Sequence, residues 1–168
     1  MASWGDILLT AAQVAVTLAG FMGLIGLFVA RGRAGLTAPE IMRFRVMLDY
    51  SLIGLLAALF PFLPAALEFF EASVWRISSV GMLFVLAVYY SLFRPKASSW
   101  SQVREHLGWF IVIVVGEVTR AALLLDNASG LLHTPAFFPY LFSVYWNLVG
   151  AAIGFGGIME LAWSSTEE

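Results

Sequence analysis

Apolar residues fall along this chain in five long blocks, separated by short stretches that carry most of the charge and much of the proline. A helix needs about 17–25 mostly apolar residues to cross the hydrocarbon core of a bilayer. Blocks of that size lie at residues 7–30, 46–70, 74–93, 107–125 and 136–163. They predict an all-α fold, a polytopic transmembrane helical bundle of five spans forming one membrane domain over residues 1–168.

The block edges carry local signals. The first block has no charge until Arg31 and Arg33, which follow it. A signal peptide has its positive charge before a shorter apolar core, so this block reads as a span. Thr37-Ala38-Pro39-Glu40 has the spacing of a reciprocal capping box and opens the second helix, with proline tolerated in the first turn. Pro61 and Pro64 each remove a helical hydrogen bond, which predicts a kink or an end near the far side of that span. Arg76 opens the third block and Tyr89-Tyr90 lie toward its close, while the fourth carries Glu117 and Arg120 in its middle third. The fifth is long enough to cross with tilt.

Composition points the same way. Of 168 residues, 61% are hydrophobic and 12% charged, against about 45–50% and about 25% in soluble domains. The 9 basic and 11 acidic residues are too few to solvate the outside of a large dry core. Lipid is the natural solvent, and a bacterial cytoplasmic membrane the expected location. With net charge −2 and no run of Lys or Arg, nucleic acid is excluded as a partner. The absence of cysteine removes disulfides, thiolate metal sites and cysteine nucleophiles.

Short loops rich in Lys and Arg stay cytoplasmic. Arg31, Arg33, Arg43 and Arg45 cluster between the first two spans, and Arg94, Lys96 and Arg104 between the third and fourth. The remaining connections hold Glu68, Glu71 and Asp126. The N-terminus is therefore expected outside and the C-terminus in the cytoplasm. Trp4, Trp75, Trp100, Trp109 and Trp163 fall near span ends, where indole prefers the headgroup level; Trp146 lies deeper.

Candidate chemistry is confined to polar groups inside the spans. Glu117 and Arg120, three residues apart, share a helix face. They read either as part of an ion or proton pathway or as an internal ion pair that pins the fourth span to its neighbours. Asp49 lies one turn after Arg45 and is expected to pair locally or with a loop arginine. In the fifth span Ser143, Asn147, Gly150, Gly154 and Gly157 fall within an arc of roughly 80°, and Gly150 and Gly154 form a GxxxG motif suited to close helix packing or an oligomer seam. The first span has a related stripe of Thr10, Gln13, Thr17 and Gly20, with Gly23 and Gly26 beyond it. An amide facing lipid would leave polar groups unsatisfied, so Gln13 and Asn147 suggest a wet or hydrogen-bonded interface.

No cofactor or metal is expected. His106 and His133 fall on opposite sides of the membrane in this topology, and no phosphate loop, nucleophile elbow or zinc motif is present. Asn127-Ala-Ser129 matches a glycosylation acceptor on the outer side. Length and aromatic content invite comparison with the tryptophan-rich translocator-protein family. The loop reads RGRAGLTAPEIMRFR where that family has its Trp/Pro-rich stretch, so nothing is carried over.

A membrane-embedded enzyme acting on lipid would need an acid/base pair at the interface, for which Glu117 lies too deep and Asp49 lacks a partner base, so two other functional readings lead. One is a small oligomeric channel- or transporter-like protein whose polar pathway includes Glu117, Arg120, Asn147, Gln13 and Asp49. The other is a non-catalytic membrane subunit that anchors, scaffolds or regulates a partner protein. In both, a homo-oligomer is expected through the faces bearing Gly150, Gly154, Gly157, Gly20 and Gly23.

Overall fold

The computed structural model describes the backbone of residues 3–32, 38–92, 107–131 and 135–164, with side chains over 3–27, 41, 44–92, 111–131 and 135–156. The described residues form helices and turns without a strand. In chain order the helices are α1 (Trp4–Gly32), α2 (Ala38–Leu59), α3 (Phe62–Ala66), α4 (Glu71–Leu92), α5 (Leu107–Ser129) and α6 (Phe137–Ser164). The stretches Trp4–Leu27, Phe44–Ala66, Glu71–Leu92 and Phe137–Gly156 are each long and apolar enough to cross a membrane. Helix α5 has 23 residues, roughly 35 Å at 1.5 Å per residue, but contains Glu117, Arg120 and Asp126.

The surface is unlike that of a water-soluble fold, with small residues among those buried and many large apolar ones outside. Ala11, Ala12, Ala15, Ser51, Ala57, Ala58, Ser78 and Ser79 are buried, whereas Leu27, Leu63, Phe84, Leu92 and Val118 are each more than half exposed. In α5 the five consecutive residues 111–115 are all exposed. Water would penalise such a surface heavily, but hydrocarbon does not, and between apolar tails helices gain most from small residues that let their backbones approach. The chain is an integral membrane protein by this pattern as well as by helix length.

By its internal contacts the chain divides into two units, Met1–Leu59 with Val144–Glu168, and Phe60–Ser143. In the first unit α1 opens with Ser3 and Asp6, each side chain receiving a hydrogen bond from the other's backbone N–H, at 3.2 and 3.0 Å. This is a capping box with Asp in place of the usual Glu or Gln. Helix α2 runs antiparallel to α1, with Phe44 over Gly26 and Met22 against Met47. Helix α6 then meets α2 through three steps, Met47 with Gly154, Tyr50 with Gly150 and Gly54 with Asn147. One series climbs as the other descends, so these two helices are antiparallel as well. A Cβ placed on Gly154 would lie 2.8 Å from the Met47 Cβ and 3.5 Å from its Cα.

The second unit begins at a bend. Helix α2 stops at Leu59, just before the Phe60–Pro61 turn, so of the two outcomes expected from Pro61 and Pro64 the helix ends rather than kinks. Pro61 sits at the N-cap of α3 and Pro64 within its first turn, where a missing N–H costs least. The helix ends in a Schellman motif, with Phe69 N–H donating to the Pro64 carbonyl at 3.3 Å and Glu68 N–H to Ala65 at 3.0 Å. Glu68 takes the left-handed position usually given to glycine, at φ 59. Phe60 covers Gly81 of α4, where a Cβ would come within 2.5 Å of the ring. Helices α4 and α5 form an antiparallel pair in which Arg76 lies over Gly130 and Ser79 meets Asn127. Gly130 closes α5 in the left-handed conformation, its N–H donating to the Asp126 carbonyl at 2.7 Å. Trp75 turns inward between Phe137 and Tyr140, at ring distances of 5.1 and 6.0 Å, and is 1% exposed.

Gly20 and Gly23, by contrast, face nothing within 4 Å. A matched pair of substitutions separates the two kinds of glycine. Gly154→Ala is expected to destabilise the fold by about 1–3 kcal/mol through overpacking against atoms that cannot rotate away. Gly23→Ala should be neutral or stabilising by up to about 1 kcal/mol from helix propensity. Unfolding midpoints in mixed micelles of mild detergent and dodecyl sulfate measure both.

Candidate functional site

Two places hold polar groups on the long helices, one in each unit. In the second unit, Glu117 and Arg120 lie on successive turns of α5, and the Arg120 guanidinium donates to the Glu117 carboxylate. Arg120 is sealed, with 2% of its side chain exposed, while Glu117 keeps 18%. Tyr90, in the last turn of α4, completes the cluster, its phenol lying beside the Glu117 carboxylate. Its ring stands edge-on to Tyr89 at 5.5 Å. The carboxylate thus lies between a cation on its own helix and a phenol from the neighbouring one. Tyr90 is half exposed, so the phenol side is where the cluster opens.

Helix α5 is held on α4 at its other end by Asn127. Its Nδ2 donates to Ser79 Oγ at 2.8 Å and its Oδ1 accepts from the backbone N–H of Ala136 at 2.7 Å. The residue is 2% exposed, and its amide nitrogen is committed to Ser79. That geometry closes it to the glycosylation its tripeptide suggests. Asn127 is a clasp that joins α4, α5 and the residue preceding α6.

In the first unit the polar residues part company. Asn147 is fully buried with its Cβ line of approach against Gly54. Asp49 pairs with Arg45 one turn before it, Nε to Oδ2 at 3.8 Å, with 24% and 57% of the side chains exposed. A pair so open contributes little, about 0–1 kcal/mol. Gln13 is exposed on the outer face of α1, along with Thr10 and Thr17. Both hydroxyls turn back onto their own helix, Thr10 donating to the Asp6 carbonyl and Thr17 to that of Gln13, each at 2.8 Å. The Gln13 side chain makes no such bond among the described residues.

The candidate residues therefore do not form one constellation within either unit. Glu117 and Arg120 meet; Gln13, Asn147 and Asp49 belong to the other unit and occupy different surroundings there. Gly150 and Gly154 close on α2 of the same chain, and Gly20 and Gly23 stay open. Gly157, the box at Thr37 and Glu40, the histidines, and Arg31, Arg33, Arg43, Arg94, Lys96 and Arg104 lie outside the described side chains. Tyr90 and Asn127 were not among the sequence candidates for these roles. A tyrosine near a span end is ordinary on its own, and only the register of α4 on α5 brings it to Glu117. Comparison of the chain with known protein families, with characterised proteins and with solved structures finds no match in any of the three.

Two sets of substitutions probe the second unit. Asn127→Ala removes two hydrogen bonds and leaves their partners unsatisfied, an expected loss of about 1–3 kcal/mol in the dodecyl sulfate unfolding assay. Glu117→Leu and Arg120→Leu should each cost about 3–5 kcal/mol by stranding the other charge, while the double substitution should cost less than either. A double-mutant cycle on the same assay reads the coupling directly.

Proposed function

We propose that this chain is a non-catalytic, multi-pass membrane subunit that works by associating with a partner inside the bilayer. The supporting observation is the Gln13 amide. It lies well inside the Trp4–Leu27 stretch, on an exposed face, without a hydrogen-bond partner among the described residues. An unpaired amide in hydrocarbon costs about 4–8 kcal/mol on water-to-cyclohexane scales, and a docked helix offering a donor or acceptor at that depth removes the penalty. The α1 face is also apolar on either side of Gln13, so a docked helix gains packing along with the hydrogen bond.

A second reading is a channel- or transporter-like role centred on Glu117. It is favoured by the uneven burial of the pair: the carboxylate keeps some exposure where the guanidinium has almost none. A carboxylate reachable from one side and lying beside a phenol suits a proton or cation pathway.

The two readings separate experimentally. Extracted in mild detergent, the protein should run as a complex, and Gln13→Leu should weaken that complex about 3- to 30-fold, the range of an interhelical hydrogen bond. A monodisperse monomer from its native membrane would reject the subunit reading. In liposomes carrying the purified protein, ion or proton flux that disappears with Glu117→Gln would establish the second reading instead. Absence of flux under a pH gradient and under voltage would remove it.

A further inference from the structure

We propose that the partner of α1 is a second copy of this chain. The two α1 helices pair about a two-fold axis along the bilayer normal, with the Gln13 amides hydrogen-bonded to each other across the seam. This rests on the reading of the chain as a subunit that acts by association, and it assigns the chemistry of the contact.

The first step is to ask which group on the α1 face needs a partner. Thr10 and Thr17 spend their hydroxyl protons on carbonyls of their own helix. That leaves a single demanding group, the carboxamide of Gln13. A carboxamide carries both an acceptor and donors, so two of them brought head to head satisfy each other with a reciprocal pair of N–H to O=C bonds. No carboxylate, guanidinium or hydroxyl is self-complementary in this way.

Depth supplies the second step. Copies of one chain insert with the same direction and to the same level, so a two-fold axis along the normal brings Gln13 to Gln13 without any search in register. A different helix would have to offer an amide or its equivalent at that same level; a second copy does so by construction.

Shape supplies the third. Gln13 and Thr17 form a ridge between two shallow grooves. One, of about 350 Å³, runs toward Val14, Phe21 and Phe155, and the other, of about 470 Å³, toward Val16 and Leu55. The ridge of one copy enters a groove of the other, and the two-fold axis repeats the contact in reverse. Gly20, one turn beyond Thr17, has open space where a Cβ would stand, so the two backbones can come close there. The glycines Gly150 and Gly154 are already occupied by α2 and are unavailable for this seam.

The chain has no cysteine, which makes single-cysteine cross-linking unambiguous. Thr17→Cys and Gly20→Cys, oxidised in liposomes at low protein-to-lipid ratio, are expected to give disulfide dimers. Phe84→Cys, on an exposed face of α4, is expected to stay monomeric. With Gly20→Cys as reporter, Gln13→Leu should lower the dimer fraction and weaken association about 3- to 30-fold. Gln13→Asn, which keeps the carboxamide, should retain most of it. An unchanged dimer fraction in a Gln13→Leu protein of unaltered unfolding midpoint would overturn the amide seam, as would equal cross-linking at Phe84→Cys. If no self-dimer forms but a stoichiometric different protein dissociates on Gln13→Leu, the second-copy inference falls while the subunit reading stands. If the chain is monomeric from its native membrane, both fall.

Discussion

Hydrocarbon supplies no hydrogen bonds, and that single constraint orders this structure. Every polar group carried into the spans must find its partner in the helix that bears it, in a neighbouring helix or in another molecule. The chain uses the first two solutions and leaves one group open to the third. Thr10, Thr17 and Glu117 find partners on their own helix, whereas Asn127 reaches a neighbouring helix. Gln13 does neither, and that difference separates a residue that stabilises the fold from one that invites company.

The same constraint explains what fills the seams between helices. Where the solvent is as greasy as leucine, burying leucine gains little, so many large apolar side chains are left outside, and alanine, serine and glycine share the interior with Met22, Met47, Trp75 and Tyr140. In the unit containing α1 and α2, close approach does the work. Gly54 admits the Asn147 side chain, Gly150 the Tyr50 ring and Gly154 the Met47 backbone. In the unit containing α4 and α5, specific polar contacts do more of it. Asn127 clasps one end of the pair and the cluster of Tyr90, Glu117 and Arg120 holds the other. Asn127 also ties in the chain just ahead of α6, and Trp75 packs against the first turn of that helix.

A buried ion pair of this kind is weak evidence for net stability, because two charges must be stripped of water before they attract. Its stronger effect is to set register. Sliding α5 along α4 by one turn would take Glu117 from Tyr90 and Asn127 from Ser79 together, leaving several polar groups stranded in a non-polar medium. Conformational specificity is thus a sufficient role for Glu117 and Arg120, while Gln13 stays outside that internal network and gives the association reading its footing.

Much of the architecture was legible along the chain. Five long apolar blocks correspond to α1, the α2–α3 pair, α4, α5 and α6, with the i,i+3 pairing of Glu117 with Arg120 and the i,i+4 pairing of Asp49 with Arg45. These features are local: hydropathy, helical period and proline chemistry depend on neighbours within a turn or two. Sequence alone determined, then, that the chain is a membrane-spanning helical protein and which few polar groups lie along its long helices. Only the tertiary structure decided which of them are satisfied. The register of one helix on another selects whether Gly150 meets Tyr50, whether Asn127 is a glycan acceptor or a clasp, whether Trp75 faces outward or inward, and whether Gln13 is enclosed or left at the surface. Register is set by the sum of many small contacts between residues far apart in the chain, and no local pattern encodes that sum.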